Sequence, residues 1–297
     1  AVGGHRAYLA APTELPVPPG SYEVRVTHGP TWSTAVHEVR VTALQPGDPS
    51  PQVDAVIQPV LDTQGWLQCD LHQHAVYSAD SSVPPVEGIL ASAIEGLDCI
   101  ATTDHDAVAD WTQHFAESGL ADEMLWLPGI EVTTQAQGHF NAFPWDPSLG
   151  TVDHFDRTAA QVTASLRATA PDAVVQLNHP MWGKIGLFEL VGRDDVTGLM
   201  LSIDDSGQPT GATDDFDAVE VLNGKDSDFA LEVLQTWLTM VDSGQRATLV
   251  GSSDSHRLLG QERGSARTWV PTDGAAGREA VVTALRSTRH ATASTGP

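Results

Sequence analysis

Residues 70–80 read DLHQHAVYSAD, and this stretch decides how the chain is organised. It follows the short apolar run Trp66-Leu67-Gln68-Cys69 and carries a His-x-His pair, His72 and His74. Along an extended strand, residues two apart share a face, so both imidazoles aim at one point. Asp80 follows six residues after His74, beyond a polar turn. Four later segments repeat the theme: TTDHD at 102–106, GIEVTT at 129–134, LNHP at 177–180 and SSDSH at 252–256. Each sets His, Asp or Glu at the end of an apolar, strand-like run, as a metal site requires.

Outward from these motifs, strands and helices alternate. A helix is expected near Pro84-Pro85, capped by Ser81 or Ser82, with Val86, Ile89, Leu90 and Ala93 on its apolar face. Strands are expected at 97–103, 126–134 and 173–179, with a short returning strand at 138–143 and a helix over 156–169. Residues 191–216 read as an irregular insertion whose three Asp-Asp pairs lack EF-hand spacing, so a solvated acidic loop is expected rather than a calcium site. A strand at 218–224 precedes a helix from about Asp228 to Val241 that would bury Leu231, Leu234, Trp237 and Leu238. Strands at 247–256 and 268–270, a helix at 276–287 and a final strand close the chain. Such alternation implies a mainly parallel α/β sheet or barrel over 66–297.

Residues 1–65 differ in texture. Tyr22, Val24 and Val26, then Val39 and Val41, alternate with polar residues between Pro- and Gly-rich turns. They read as antiparallel strands of a small, sandwich-like accessory β module with one wet face. His5, His28 and His37 are expected to be solvated.

Composition narrows the functional classes. The chain of 297 residues has a formal charge of −24, which speaks against nucleic acid and anionic lipid as partners. No apolar run approaches the ~18 residues that would insert into a membrane. Cys69 and Cys99 fall on neighbouring strands and are expected as buried free thiols. The opening Ala1 reads as the start of a processed chain, and the abrupt STGP end as one that continues.

In a parallel α/β barrel, functional residues sit at the carboxyl ends of strands. His72, His74, His105, Glu131, His179, Asp254 and His256 occupy such ends, and Asp254/His256 repeats the i, i+2 spacing of His72/His74. Lys184, Lys225 and Arg257 lie just beyond strand ends. In a chain with only 15 basic residues, three there point to capture of an anionic substrate, with Trp182 as a pocket wall.

The ordered set HQH with Asp80, TDHD, GIEV, GHFNAF, NHP, VEVLN and SDSH resembles the PHP (polymerase and histidinol phosphatase) superfamily. GWLQCDLHQH and STGP look most like its CehA/McbA-type metallohydrolase branch. The resemblance covers about 66–297 and implies a distorted (βα)7 barrel with two to three divalent metals at its mouth. By that resemblance His72, His74, Glu131 and Asp254 hold one metal. Glu131 bridges to a second, completed by His139 and His179, and Asp80, His105 and His256 hold a third. Asp70, Asp104 and Asp106 would orient ligands rather than ligate.

Imidazole and carboxylate without thiolate suit zinc, manganese or iron. Two metals sharing Glu131 would activate a bridging hydroxide, with Glu131, Asp254 and His256 nearest the chemistry. The expected function is a metal-dependent phosphoesterase acting on a small anionic mono- or diester. Carbamate, amide or carboxylic ester hydrolysis is the runner-up on the same site. An amidohydrolase barrel also opens with His-x-His, but usually needs a bridging Lys at a strand end. A non-catalytic metal-dependent binding module is the alternative of another class. The β module suggests a secreted or periplasmic bacterial protein, with a cytoplasmic one as the alternative.

Overall fold

Alternating bulky side chains give the amino-terminal segment its first pairing. Strands β1 (Gly20–Val26) and β2 (Ala35–Val41) run antiparallel, with Tyr22 opposite Val39. Both alternate half-buried and exposed residues, the pattern of a sheet with one wet face. The structure is a computed structural model that describes every residue except 1–5, 10, 44, 46–47, 195, 197–198, 205, 225–227, 273–276, 288–291 and 296–297.

The hairpin does not float free of the rest. His28 is half-buried rather than solvated: its Nδ1 lies 2.8 Å from the Ile94 carbonyl, and its ring meets Trp32 edge-on. Gly29 has a φ of 68°, and a Cβ there would fall 2.0 Å from the Glu95 carbonyl oxygen. Only glycine permits this approach. His37 is half-buried within β2, and His5 lies outside the described residues.

The remaining strands form two five-stranded sheets. One holds β3 (Trp66–Asp70), β4 (Cys99–Thr102), β5 (Leu125–Pro128), β11 (Ala266–Pro271) and β12 (Thr292–Thr295) in the order 12-11-3-4-5. The other holds β6 (Ile130–Thr133), β7 (His139–Phe143), β8 (Val174–Asn178), β9 (Ala218–Asn223) and β10 (Thr248–Ser252) in the order 10-9-8-7-6. Of their eight ladders, four are parallel and four antiparallel, so the expected mainly parallel arrangement is corrected to two mixed sheets. Two isolated parallel bridges, Gln73↔Ser255 and His105↔Glu131, connect the sheets beyond the ends of β3, β4 and β10.

The strand expected at 126–134 is two strands in different sheets, divided at Gly129. A Cβ on Gly129 would lie 3.0 Å from the Ala142 carbonyl oxygen and 3.1 Å from that of Thr102. The chain can cross between the sheets there because no side chain stands in the way.

Six helices cover the sheets: α1 (Pro85–Ile94), α2 (Thr112–Ser118), α3 (Ala159–Thr169), α4 (Leu187–Val191), α5 (Ala230–Asp242) and α6 (Arg278–Ser287), counted among the described residues. A central core takes Cys69, Cys99, Leu127, Val174, Ala218 and Val250 from both sheets and Val281 and Leu285 from α6. Cys69 and Cys99 are free, buried and directly opposite each other in register, and burial pushes the Cys69 thiol well up.

Three local expectations change. Helix α1 begins after Pro84 with no side-chain cap, and the Ser81 hydroxyl instead donates to the His256 carbonyl. Helix α3 starts at Ala159, because Thr158 and Gln161 form a capping box there. Helix α5 buries Val233, Thr236 and Met240, whereas Leu231 and Leu238 are 73% and 49% exposed. Both sets recur at helical spacing, so periodicity alone leaves the phase open and the sheet surface selects it.

Candidate metal centre

Beyond β3 the chain stays extended through Gln73, which preserves the alternation the His-x-His motif needs. His72 and His74 therefore point to one side and Gln73 to the other. All three are fully buried. On the ligand side, Glu131 from β6 is the common neighbour. His72 Nε2 lies 3.4 Å, His139 Nδ1 3.2 Å and His179 Nε2 3.6 Å from its Oε1, while His105 Nδ1 lies 2.7 Å and His74 Nε2 3.5 Å from its Oε2. Asp254 Oδ1 sits 3.2 Å from His72 Nε2 and 3.0 Å from His74 Nε2.

His256 lies beside Asp254, its Nδ1 3.6 Å from the Asp254 Oδ1, and stacks on His74 with ring centroids 3.9 Å apart. Its Nε2 is 3.4 Å from His105 Nε2 and 3.3 Å from the Asp80 carboxylate, which also lies 3.4 Å from His105 Nε2. Among the described residues, three trios thus gather candidate ligand atoms within 4.8 Å: His72/His74/Glu131, Glu131/His139/His179 and His74/His105/His256. Asp80 is the outlier in solvation, its side chain 58% exposed while Glu131 is fully buried.

The donor set fits divalent metal. Nε2 of His72 and His74, Nδ1 of His139 and Oδ1 of Asp254 are buried and hydrogen-bonded to nothing. Burying such atoms without partners costs roughly 1–3 kcal/mol each, so their convergence needs a common partner. Ligands about 2.1 Å from one ion stand roughly 3.0–3.5 Å apart, the spacing seen here.

Further residues fix which nitrogen each imidazole presents. His72 donates from Nδ1 to Glu220 Oε1 at 3.1 Å, leaving Nε2 for the cluster. His74 donates from Nδ1 to Ser78 Oγ at 2.9 Å, and Ser78 passes its proton to Asp104 Oδ1 at 2.9 Å. Asp104 therefore orients His74, across the loop from its sequence neighbour His105. Asp106 accepts from the Thr133 backbone and lies 3.5 Å from His154. Asp70 accepts from the Ser253 and Gly264 backbones and the Gln73 amide. Three non-glycine residues in this region, Asp106, His179 and Asp254, have positive φ. Left-handed backbone of this kind costs roughly 1–3 kcal/mol each and persists where surroundings enforce it.

Electrostatics separates the groups. Burial pushes His72 down, but Asp254, Glu131 and Glu220 outweigh it and hold it well above its ordinary value. Burial wins at His74, lowered to about 4. Burial likewise opposes charging of His105, yet Glu131 and Asp80 raise it to about 9. Glu131 and Asp254 are held well below the usual carboxylate range, the surrounding histidines overcoming burial.

A cleft of about 430 Å³ opens beside the cluster, walled by Asp80, Trp182, Asn223, Asp254, His256 and Arg257. Trp182 meets the His179 ring edge-on at 5.7 Å. Lys184 is exposed on the turn after Trp182, and Lys225 lies outside the described residues.

Sequence reading passed over Glu220, Asn178, Asn141 and Asn223. Asn178 donates to Glu131 Oε1 at 2.9 Å and to Asn141, and Asn223 donates to both Glu220 and Asp254. Glu220 had a readable signal: a carboxylate in the middle of an apolar strand is rarely buried without a partner.

No family model matches the chain, and no curated protein matches it in sequence. Solved structures do match in fold. A two-domain protein from Bacteroides vulgatus containing a predicted PHP-like metal-dependent phosphoesterase is 24% identical, with a TM-score of 0.55 over 83% of this chain and 70% of that one. PsfC from Pseudomonas syringae is 15% identical, with a TM-score of 0.50 over 78% of this chain and 92% of that one. The lesion-specific endonuclease PfuEndoQ from Pyrococcus furiosus is 14% identical, with a TM-score of 0.51 over 78% of this chain and 58% of that one. At these identities the likeness is one of fold. The chain is a mixed α/β protein sharing its fold with a protein that contains a PHP-like domain.

Proposed function

We propose that this chain is a metal-dependent hydrolase that cleaves small anionic esters, with a phosphomono- or phosphodiester as the substrate class. The observation that carries the reading is the meeting of buried, hydrogen-bond-free imidazole and carboxylate atoms around Glu131. His72, His74, Glu131 and Asp254 would hold one divalent ion, Glu131, His139 and His179 a second, and Asp80, His105 and His256 a third. Zinc, manganese or iron bound there would supply an activated water and offset charge building on the ester oxygens.

The chain's own groups do the rest. Arg257 on the cleft wall offers a cation for a substrate anion, and Trp182 walls the approach to His179. Asn178 holds Glu131 from behind, and Glu220 and the Ser78–Asp104 pair keep His72 and His74 aimed. The −24 charge supports a small-molecule substrate over nucleic acid, despite the fold shared with an endonuclease. The PHP-type barrel, the CehA/McbA-type branch, the accessory role of 1–65 and a secreted or periplasmic location belong to the same proposal. They rest on the ordered motifs and on the amino-terminal hairpin.

Initial rates on a bis-aryl phosphate and an aryl carbamate, with zinc- and manganese-loaded protein side by side, test it. Phosphate turnover lost in Glu131→Gln is the expected result. Carbamate preference would move the chain to the amide and carbamate class. Silence on both in metal-loaded protein would sink the hydrolase reading.

A further inference from the structure

Arg263 is fully buried, carries a charge and ligates nothing, yet it touches the backbone of the His-x-His motif. One guanidinium nitrogen donates to the Gln73 side-chain oxygen, and the other donates to the His74 carbonyl at 2.6 Å. Gln73 lies between the two histidines with its amide on the opposite side, where it also donates to Asp70 at 2.7 Å. Asp70 in turn accepts from the Ser253 backbone at 2.9 Å and the Gly264 backbone at 2.8 Å. Those two positions bracket the segment that carries Asp254, His256 and Arg257. The segment is further joined to the motif by His74 N donating to Ser255 O and Asp254 N donating to His72 O.

Helix α1 is shaped to admit this side chain. A Cβ on Gly88 would lie 3.0 Å from a terminal nitrogen of Arg263 and 3.1 Å from its central carbon. Glycine inside a helix is unfavourable relative to alanine, so its place against the guanidinium has a packing reason.

We propose that Arg263 is a positioning residue: its planar fork, seated on Gly88, fixes the aim of His72 and His74 and their register with the Asp254–His256 segment. The inference rests on the metal-centre reading and concerns a residue that touches neither metal nor substrate. A lysine keeps the charge but not the fork, so it cannot serve both acceptors in this geometry.

The test uses the whole chain loaded with zinc and, separately, with cobalt(II). Arg263→Lys and Gly88→Ala are compared with wild type by chelator competition and by the visible absorption of the cobalt protein. Val281→Ala serves as a variant that removes buried core volume only. Arg263→Lys should lose roughly 10- to 100-fold in metal affinity and Gly88→Ala less, since its Cβ displaces the guanidinium only slightly; both should shift the cobalt spectrum, while Val281→Ala changes neither. Gly88→Ala separates the two roles, because helix propensity by itself predicts a more stable protein with unchanged metal binding. It also decides the matter where Arg263→Lys fails to fold. Wild-type affinity and spectrum in Gly88→Ala would overturn the positioning role. Wild-type protein that takes up no metal would instead overturn the metal centre itself.

Discussion

Glu220 Oε1 accepts the Nδ1 proton of His72 at 3.1 Å, with both side chains fully excluded from solvent. The other Glu220 oxygen accepts from the His179 backbone at 2.8 Å, so one carboxylate supports ligands of two trios. Glu220→Gln removes the charge and can turn an amide NH2 toward a backbone N–H. Metal affinity should fall roughly 10- to 100-fold, measured by competition with a chromophoric chelator. Unchanged affinity would show that His72 needs no carboxylate behind it.

The metal-free protein should lose stability as the pH rises from neutral. His105 is raised to about 9 by Glu131 and Asp80 against the opposing effect of burial, and His72 and His179 are also raised against burial. A raised imidazole contributes stability that is complete below its ordinary value of about 6.5 and is lost as pH climbs through the folded value. For His105 the loss amounts to at most about 3 kcal/mol between pH 6.5 and 9.5. Metal-loaded protein should not follow, because protons compete with metal for the same nitrogens. Calorimetric melts across this range, with chelator and with saturating zinc, give the comparison. Parallel curves would contradict it.

Asp80 should matter to metal content and hardly at all to folding. Its exposed carboxylate meets only the Nε2 atoms of His105 and His256 among the candidate ligands, at 3.4 and 3.3 Å. Asp80→Asn should move stability by less than about 0.5 kcal/mol, as exposed substitutions usually do. Elemental analysis after dialysis should find one metal equivalent fewer than in wild type. Equal metal content in the two proteins would remove Asp80 from the ligand set.

Gly29 should govern how the amino-terminal segment docks. Any Cβ there collides with the Glu95 carbonyl, and its φ of 68° is unfavourable for other residues. Gly29→Ala should speed proteolysis within 20–41 severalfold while leaving metal affinity within about twofold, since none of the described residues of 1–65 joins the candidate metal trios. Unchanged cleavage would mean that the contact contributes little to docking.

The candidate ligand set was legible because metal chemistry restricts residue types so strongly. His-x-His, TDHD and SDSH each carry their chemistry within three to five adjacent residues, and strand periodicity alone aims the pair His72 and His74. The supporting groups were harder to read, since Asn141, Asn178 and Asn223 are ordinary residues until Glu131 and Asp254 come within hydrogen-bond reach. Asp104 adjoins His105 in sequence, but Ser78 carries its influence to His74. Helix α5 turns only part of its expected face inward: Trp237 packs on the core and Leu234 is half-buried, whereas Leu231 and Leu238 stay exposed, because two apolar stripes compete on its surface.

The sequence by itself determined which side chains could ligate, where strand-like runs would present them, and that the chain carries a formal charge of −24. Local rules of this kind need only neighbouring residues. The tertiary structure decided the sheet pairing and the break at Gly129, where close approach of the Ala142 and Thr102 carbonyls lets β5 and β6 enter different sheets. That crossing brings Glu131, whose own hairpin already supplies His139, against His72, His105 and His179, each tens of positions away in sequence. Long-range packing alone could settle it, because no local propensity encodes a contact between residues separated by tens of positions.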